Sequence, residues 1–134
     1  MTLEQAIFIR MSANAPLVAL VPATAINPME VTQGTALPYV AYFRVSNNDQ
    51  NAFNSQPTLT ETRIQFSCFG ATYSSVKAIA AALVACFRGF TGNMGSGSGP
   101  YVSSCLKDSE SDDFERDSKT FIVNLDFTIF HDAV

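Results

Sequence analysis

Apolar residues recur along this chain with two periods, one near 3.6 residues and one of two, and the switches between them predict its elements. Thr2 caps a helix whose apolar positions Leu3, Ala6, Ile7 and Met11 follow the helical rhythm, with Glu4 near the positive end of its dipole. Pro16 opens a second apolar turn over Leu17 to Val21, which Pro22 stops. Ala25 to Val31 contains Pro28, which removes a ladder donor, so this stretch reads as a short edge strand or an extended arm. After a turn at Gly34 the period becomes two. Leu37 to Val45 predicts a central strand, with Tyr39, Ala41, Phe43 and Val45 as its core side against Val40, Tyr42 and Arg44. Ser46 to Pro57 is rich in Asn and Gln and reads as a long hairpin loop. Thr58 to Phe69 alternates again, with Ile64, Phe66 and Cys68 inward and Arg63, Gln65 and Ser67 outward.

Gly70 breaks that strand and Thr72 caps a long helix. Its face is Val76, Ile79, Ala80, Leu83, Val84 and Phe87, and Gly89 supplies the stop. Thr91 to Pro100 holds four glycines and two serines and reads as a flexible loop. Tyr101 to Lys107 predicts a strand, Asp108 to Ser118 an acidic loop, and Lys119 to Phe130 a final strand with Phe121, Val123, Leu125, Phe127 and Ile129 in strict alternation. Strand runs separated by one helix predict an α+β fold: a mostly antiparallel sheet with a long helix packed on one face and an N-terminal helical segment. A second apolar phase, Val40 and Tyr42 on one strand and Ile122 and Phe130 on another, means that helices cover both faces or a subunit packs on one of them.

Composition narrows the class. The 134 residues fit a single domain, 1–134, and 47% apolar against 15% charged residues belongs to a folded chain. Eight basic and twelve acidic groups give a net charge of -4, which argues against sequence-specific DNA binding, since affinity for phosphates grows with the Lys and Arg that neutralise them. The longest apolar run, Ala78 to Phe87, is about half of what a membrane helix needs. The N-terminus lacks the basic region of an export signal, and membrane partners are not expected.

Candidate chemistry is sparse. Cys68, Cys86 and Cys105 stand at wide spacings without a CxxC, and His131 is the single histidine, so no structural zinc or other metal site is expected. Cys68 and Cys86 fall on apolar phases, where a free thiol packs as a small hydrophobe, so a Cys-His catalytic pair is not expected. A calcium loop beginning at Asp108 would need glycine sixth and glutamate twelfth, where Asp113 and Lys119 stand. The glycine-rich GNMGSGSGP follows a helix and precedes a strand, the reverse of a phosphate cradle. No catalytic residue, cofactor or enzyme activity is expected. Tyr39, Phe43, Phe66, Phe69, Phe121 and Phe127 fall on strand alternation and read as core.

Four stretches carry a likeness. The opening TLEQAIFIRMSANAPLVALV, the central LPYVAYFRV, RIQFSCFGATYSSVKAIAAALVACFRGF from Arg63 to Phe90, and FIVNLDFTIFH from Phe121 to His131 resemble, in order and spacing, the tail-completion (tail-terminator) proteins of long-tailed bacteriophages. The chain departs from that pattern where an aromatic, often tryptophan, follows the strand cysteine: Phe69 stands there, and the chain has no tryptophan. The resemblance implies a structural protein of the virion, assembled in the host cytoplasm. It implies a homo-oligomeric ring, typically a hexamer, at the head-proximal end of the tail. That ring would cap the tail tube protein and join a head-completion or connector protein, with DNA passing through unread. Another neck or head-tail adaptor protein is the alternative, and a small-molecule enzyme or binding module the more distant one. The polar loops supply the expected subunit or tube contacts, Asn48, Asp49, Phe53, Met94 and Ser96. The acidic segment supplies the expected lumen-facing groups, Asp112 and Asp113, because repeated carboxylates repel the DNA backbone.

Overall fold

The fold is taken from a computed structural model that describes residues 2–29, 37–50 and 59–132. Helix α1, Leu3–Ser12, starts in a capping box: the Gln5 amide donates to Thr2 Oγ1 at 3.2 Å and Gln5 Oε1 accepts from the Thr2 amide at 2.9 Å. The four-residue α2, Ala15–Val18, is capped by Asn14, whose side chain accepts from the Leu17 amide. A 3₁₀ turn at Ala23–Ala25 leads to β1, Ile26–Pro28. The expected turn at Gly34 lies outside the described residues.

The remaining elements are β2 (Tyr39–Gln50), β3 (Leu59–Gly70), α3 (Tyr73–Phe87), β4 (Gly92–Asn93), β5 (Tyr101–Glu115) and β6 (Thr120–His131). They build one sheet in the order β1-β2-β3-β6-β5-β4, antiparallel at every pair except β1 with β2. Two stretches read as loops are strand. Ser46 to Gln50 continues β2, where the Thr60 hydroxyl donates to Asp49 Oδ1 at 2.8 Å and Thr62 Oγ1 lies 2.7 Å from Asn47 Oδ1. Asp108 to Glu115 continues β5, paired with β6 from Asp126 to Thr120. Long-range pairing outweighs the weak strand propensity of Asn, Asp and Ser here. Irregularities between Arg44 and Ser46, Val102 and Ser104, and Lys107 and Ser109 bend these outer strands.

Those extensions overturn the α+β expectation. Of the described residues 48% are strand and 28% helix, so the fold is mostly β: a curled six-stranded sheet with short helices. The 15 residues of α3 span about 22 Å, whereas the 15 of β5 span about 50 Å. Among the described residues no long helix is laid along a face of the sheet.

The buried residues of the three helices and one phase of the strands form a single cluster. From the helices it takes Leu3, Ile7, Met11, Leu17, Val76, Ile79, Leu83 and Phe87; from the strands, Ile64, Phe66, Cys68, Val123, Leu125, Phe127 and Ile129. Arg10 ties α1 to the end of α3, donating from Nε and Nη2 to the Cys86 carbonyl at 2.9 and 2.7 Å, with its guanidinium 3.8 Å from the centre of the Phe90 ring.

The phase of β2 is opposite to the expected one. Val40 and Tyr42 are buried, because the register sets them beside Cys68 and Phe66, while Tyr39 and Phe43 alternate to the outer face. Tyr39 and Phe69 are half-buried and pack on each other there, ring centres 4.7 Å apart, so neither is central core. Polar groups fill the rest of that face: the Ser67 hydroxyl donates to Asn124 Oδ1 at 2.8 Å, and Arg63 and Ser109 both donate to Asp126 Oδ2.

Candidate functional site

His131 is 1% exposed at the end of β6, with Nδ1 2.7 Å from the Asp132 carbonyl oxygen and Nε2 2.8 Å from Thr62 Oγ1. A carbonyl oxygen only accepts, so Nδ1 carries the proton and Nε2 of the neutral ring faces the hydroxyl. Among the described residues no hydrogen bond joins His131 to a cysteine, and no cluster of His, Cys, Asp and Glu is placed to hold a metal. Burial pushes the Cys68 and Cys105 thiols up to about 12, so they stay protonated and pack as apolar groups.

Burial lowers the His131 pKa, outweighing the upward pull of the Asp132 carbonyl. The folded ring therefore binds a proton less readily than the unfolded one, whose pKa is about 6.5. Its contribution to stability is fully present above about pH 6.5 and is lost as pH falls towards the lower folded value. Denaturant midpoints measured from pH 7.5 to 5 should fall on the acid side, and a His131→Asn variant should show a smaller fall. An equal fall in both proteins would assign the acid sensitivity to other groups.

The acidic run is divided by strand alternation. On the α3 side, Lys77 Nζ donates to Glu110 Oε2 at 2.8 Å and to Asp112 Oδ1 at 3.1 Å, and the Tyr73 hydroxyl donates to Asp112 Oδ2 at 2.8 Å. Lys107 adds a second cation to Glu110 at 2.9 Å. The Tyr73 bond, then Lys77, holds the Asp112 carboxyl below its ordinary range, and Lys77, then Lys107, does so for Glu110. Asp113 leaves the strand on the opposite phase, is exposed, and accepts from the Phe114 amide at 2.8 Å. The two expected lumen acids thus stand on different faces. Alternation of Ser with Glu and Asp in SESDD was the sequence signal for this division.

The expected contact residues also separate. Asn48 is exposed on β2, and Asp49 beside it is held by Thr60. Phe53 lies outside the described residues. Met94 is fully buried and cannot be a surface contact of the folded chain. It anchors the glycine-rich segment, which is a built turn and not a flexible loop: the Met94 amide donates to the Pro100 carbonyl, and Asn93 Nδ2 to the Gly99 carbonyl, both at 3.0 Å. Ser96 is exposed and, with Ile9, Arg10, Ala13 and Asn93, lines a cleft of about 330 Å³.

Two features escaped the sequence reading. A mainly apolar groove of about 780 Å³ runs between α1 and β1, lined by Phe8, Ile9, Ala23, Ile26, Pro28 and Tyr42. Both sides of the sheet also carry long open edges. Strand β1 pairs only with Val40 to Tyr42, and β4 only with Tyr101 and Val102. Among the described residues, β2 from Phe43 to Gln50 and β5 from Leu106 to Glu115 have no strand on their outer sides, whereas the Cys105 carbonyl accepts from the Gly89 amide at 3.0 Å. Unpaired N–H and C=O groups on such edges are ready to pair with another chain. The arrangement offers assembly surfaces, with no convergent catalytic groups among the described residues.

A model of the family described as tail completion protein gp17 matches residues 5–132. No curated protein matches. A solved chain from a structure described as "Virion of native gene transfer agent (GTA) particle" superposes with a TM-score of 0.76 at 19% identity, covering 98% of this chain and 95% of that one. A second solved chain gives a TM-score of 0.61 at 14% identity, covering 100% and 98%. At such identities these two likenesses speak for the fold.

Proposed function

We propose that this chain, which belongs to the tail completion protein gp17 family, closes the head-proximal end of the tail tube as a ring, with six subunits as the expected number. Its coarse role is settled by membership: it is a structural protein of a phage-type tail. The observation that carries the finer reading is the family match over residues 5–132. The fold shared with a chain of a gene transfer agent virion accords with it. Open β-edges on both sides of the sheet support a subunit that meets a neighbour on each side. Unlike surfaces joined head to tail generate rings when the rotation closes.

In this reading one end of the ring meets the tail tube protein and the other a head-completion or connector protein, and DNA passes through the centre. Asp113, exposed on the outer face, is then the better candidate for the lumen; Asp112 is engaged by Lys77 and Tyr73. Among the described residues no helix is long and apolar enough to cross a membrane.

Electron microscopy of particles carrying the chain tests the proposal. Density for a closed ring of this fold between tube and connector is the expected result. The fold on the portal side, away from the tube, would make it a neck adaptor instead, and a single copy at either place would reject the ring.

A further inference from the structure

We propose that His131, Thr62 and Asn47 form a proton-directed relay, in which protonation of the buried imidazole reverses a chain of hydrogen bonds and turns the Asn47 amide at the surface of β2. The relay belongs to the folded subunit and stands apart from the ring reading above.

A count of protons carries it. The Thr62 hydroxyl belongs to a fully buried residue and lies 2.8 Å from His131 Nε2 and 2.7 Å from Asn47 Oδ1. A hydroxyl has one proton, so it donates in one of these directions and accepts in the other. The Asp132 carbonyl, 2.7 Å from Nδ1, holds the proton of the neutral ring on that nitrogen and leaves Nε2 a bare acceptor. Thr62 then stands between two acceptors, Nε2 and Oδ1, with a proton for only one of them.

Two arrangements satisfy both contacts. With the ring neutral, the Asn47 amide is turned over: Nδ2 donates to Thr62 Oγ1, and Thr62 donates to Nε2. With the ring protonated from solvent, Nε2 donates to Thr62 Oγ1, and Thr62 donates to Asn47 Oδ1. The two ends of an amide differ little in size, and Asn47 is exposed, so the turn needs no repacking of the core. In the neutral state Asn47 presents its carbonyl oxygen to the outside; in acid it presents its amide N–H groups. The far half of β2 thus offers a partner an acceptor in one state and a donor in the other.

The surroundings set which state holds. Burial favours the neutral ring; Arg44 of β2 also opposes protonation, whereas Asp132 and Glu4 of α1 favour it. Arg44 and Glu4 are paired with each other at 2.8 Å, and the Asp132 carboxylate accepts from the Tyr101 amide at 3.0 Å. Asp49 of β2 accepts from Thr60, the residue of β3 that pairs with His131, and β5 sets the uncharged Val102 on the other side. Both N–H groups of the imidazolium have acceptors in place, which is the condition for ionising a buried histidine.

Nitrogen-15 NMR of the labelled full chain tests the relay. At neutral pH the ring should show Nδ1 protonated and Nε2 bare, and on acid titration the Asn47 side-chain amide should shift with the same midpoint as the ring. Asn47→Asp gives Thr62 an acceptor that cannot turn into a donor, so the donor has to come from the ring. The His131 pKa should then rise by about 1 unit, tenfold in proton affinity. Asn48→Asp adds the same charge one residue along, on the other phase of the strand, and should raise it by less than half as much. Equal rises in the two variants would reduce the effect to charge and overturn the relay. So would an Asn47 amide that does not follow the ring, a ring protonated on Nε2 at neutral pH, or a ring that stays neutral until the chain unfolds. The wild-type titration decides the matter by itself if Asn47→Asp does not fold.

Discussion

Replacing Phe66 with alanine is expected to cost about 3–5 kcal/mol of folding stability. Phe66 is fully buried at the centre of the aromatic core, stacked on Phe87 at 5.0 Å, edge-on to Phe127 at 5.6 Å and 6.3 Å from Tyr42. Three elements besides β3 lean on that ring: β2 through Tyr42, α3 through Phe87 and β6 through Phe127. Its loss leaves a void that none of them can fill without leaving its own partners. Against a total stability of about 5–15 kcal/mol for a domain, the variant should unfold at a much lower denaturant midpoint. Phe69→Ala is the matched control, because that ring alternates to the outer face and packs chiefly on Tyr39. It should cost about 1 kcal/mol, the scale of one aromatic pair. Equal losses in the two variants would mean that the outer face is as much core as the inner one.

Gly99→Ala is expected to be nearly as damaging, for a different reason. A Cβ at Gly99 would lie 1.8 Å from the Met94 carbonyl oxygen and 3.0 Å from its carbonyl carbon, with the Ser96 oxygen at 3.2 Å. All three atoms are backbone, so no side-chain rotation relieves the clash. The turn has to open, breaking the Met94–Pro100 and Gly99–Ser96 hydrogen bonds and lifting Met94 from its buried seat. The loss should be about 2–5 kcal/mol, the scale of emptying a buried methionine site. Gly97→Ala, two residues away with nothing within 4 Å of its Cβ, should stay within about 0.5 kcal/mol. Thermal or denaturant unfolding of the two variants settles the matter: a Gly99→Ala protein as stable as Gly97→Ala would show that the turn is loose. The pair also tests the assembly reading, since Ser96 is an expected contact and an opened turn would displace it.

The segments read correctly from sequence are those whose signal is local. Thr72 caps α3, its side chain accepting from the Ser75 amide, and Val76, Ile79, Ala80, Leu83 and Phe87 are buried as their spacing implied. The strict alternation from Phe121 to Ile129 places Val123, Leu125, Phe127 and Ile129 in the core. A helix carries its hydrogen bonds within a few residues, and β6 carries its burial pattern in its own side chains, so both are visible without a partner.

The misread segments are those whose structure depends on distant residues. Asn47, Asp49 and the acids from Asp108 to Glu115 have loop-like chemistry, and they are strand because Thr60, Thr62 and residues 120–126 pair with them. Adding these stretches turned the expected α+β layer into a mostly β sheet. The phase of β2 was equally hidden. Both of its phases are apolar, and only the register against Cys68 and Phe66 decides which one is buried.

By itself the sequence determined the helices, the inner phases of β3 and β6, the lack of any recognisable catalytic or metal-binding pattern, and the family, whose likeness spans nearly the whole chain. Tertiary structure alone decided which residues can serve assembly. It buried Met94, tied Asp112 to Lys77 while leaving Asp113 exposed, and opened the groove beside α1. It also set Ser46 of β2 and Leu106 of β5 in one row across the sheet. The physical reason is that an edge, a groove or a shared row is a relation between strands far apart in the chain. Such relations are set by hydrogen-bond register, which leaves no local periodicity in the residues that obey it.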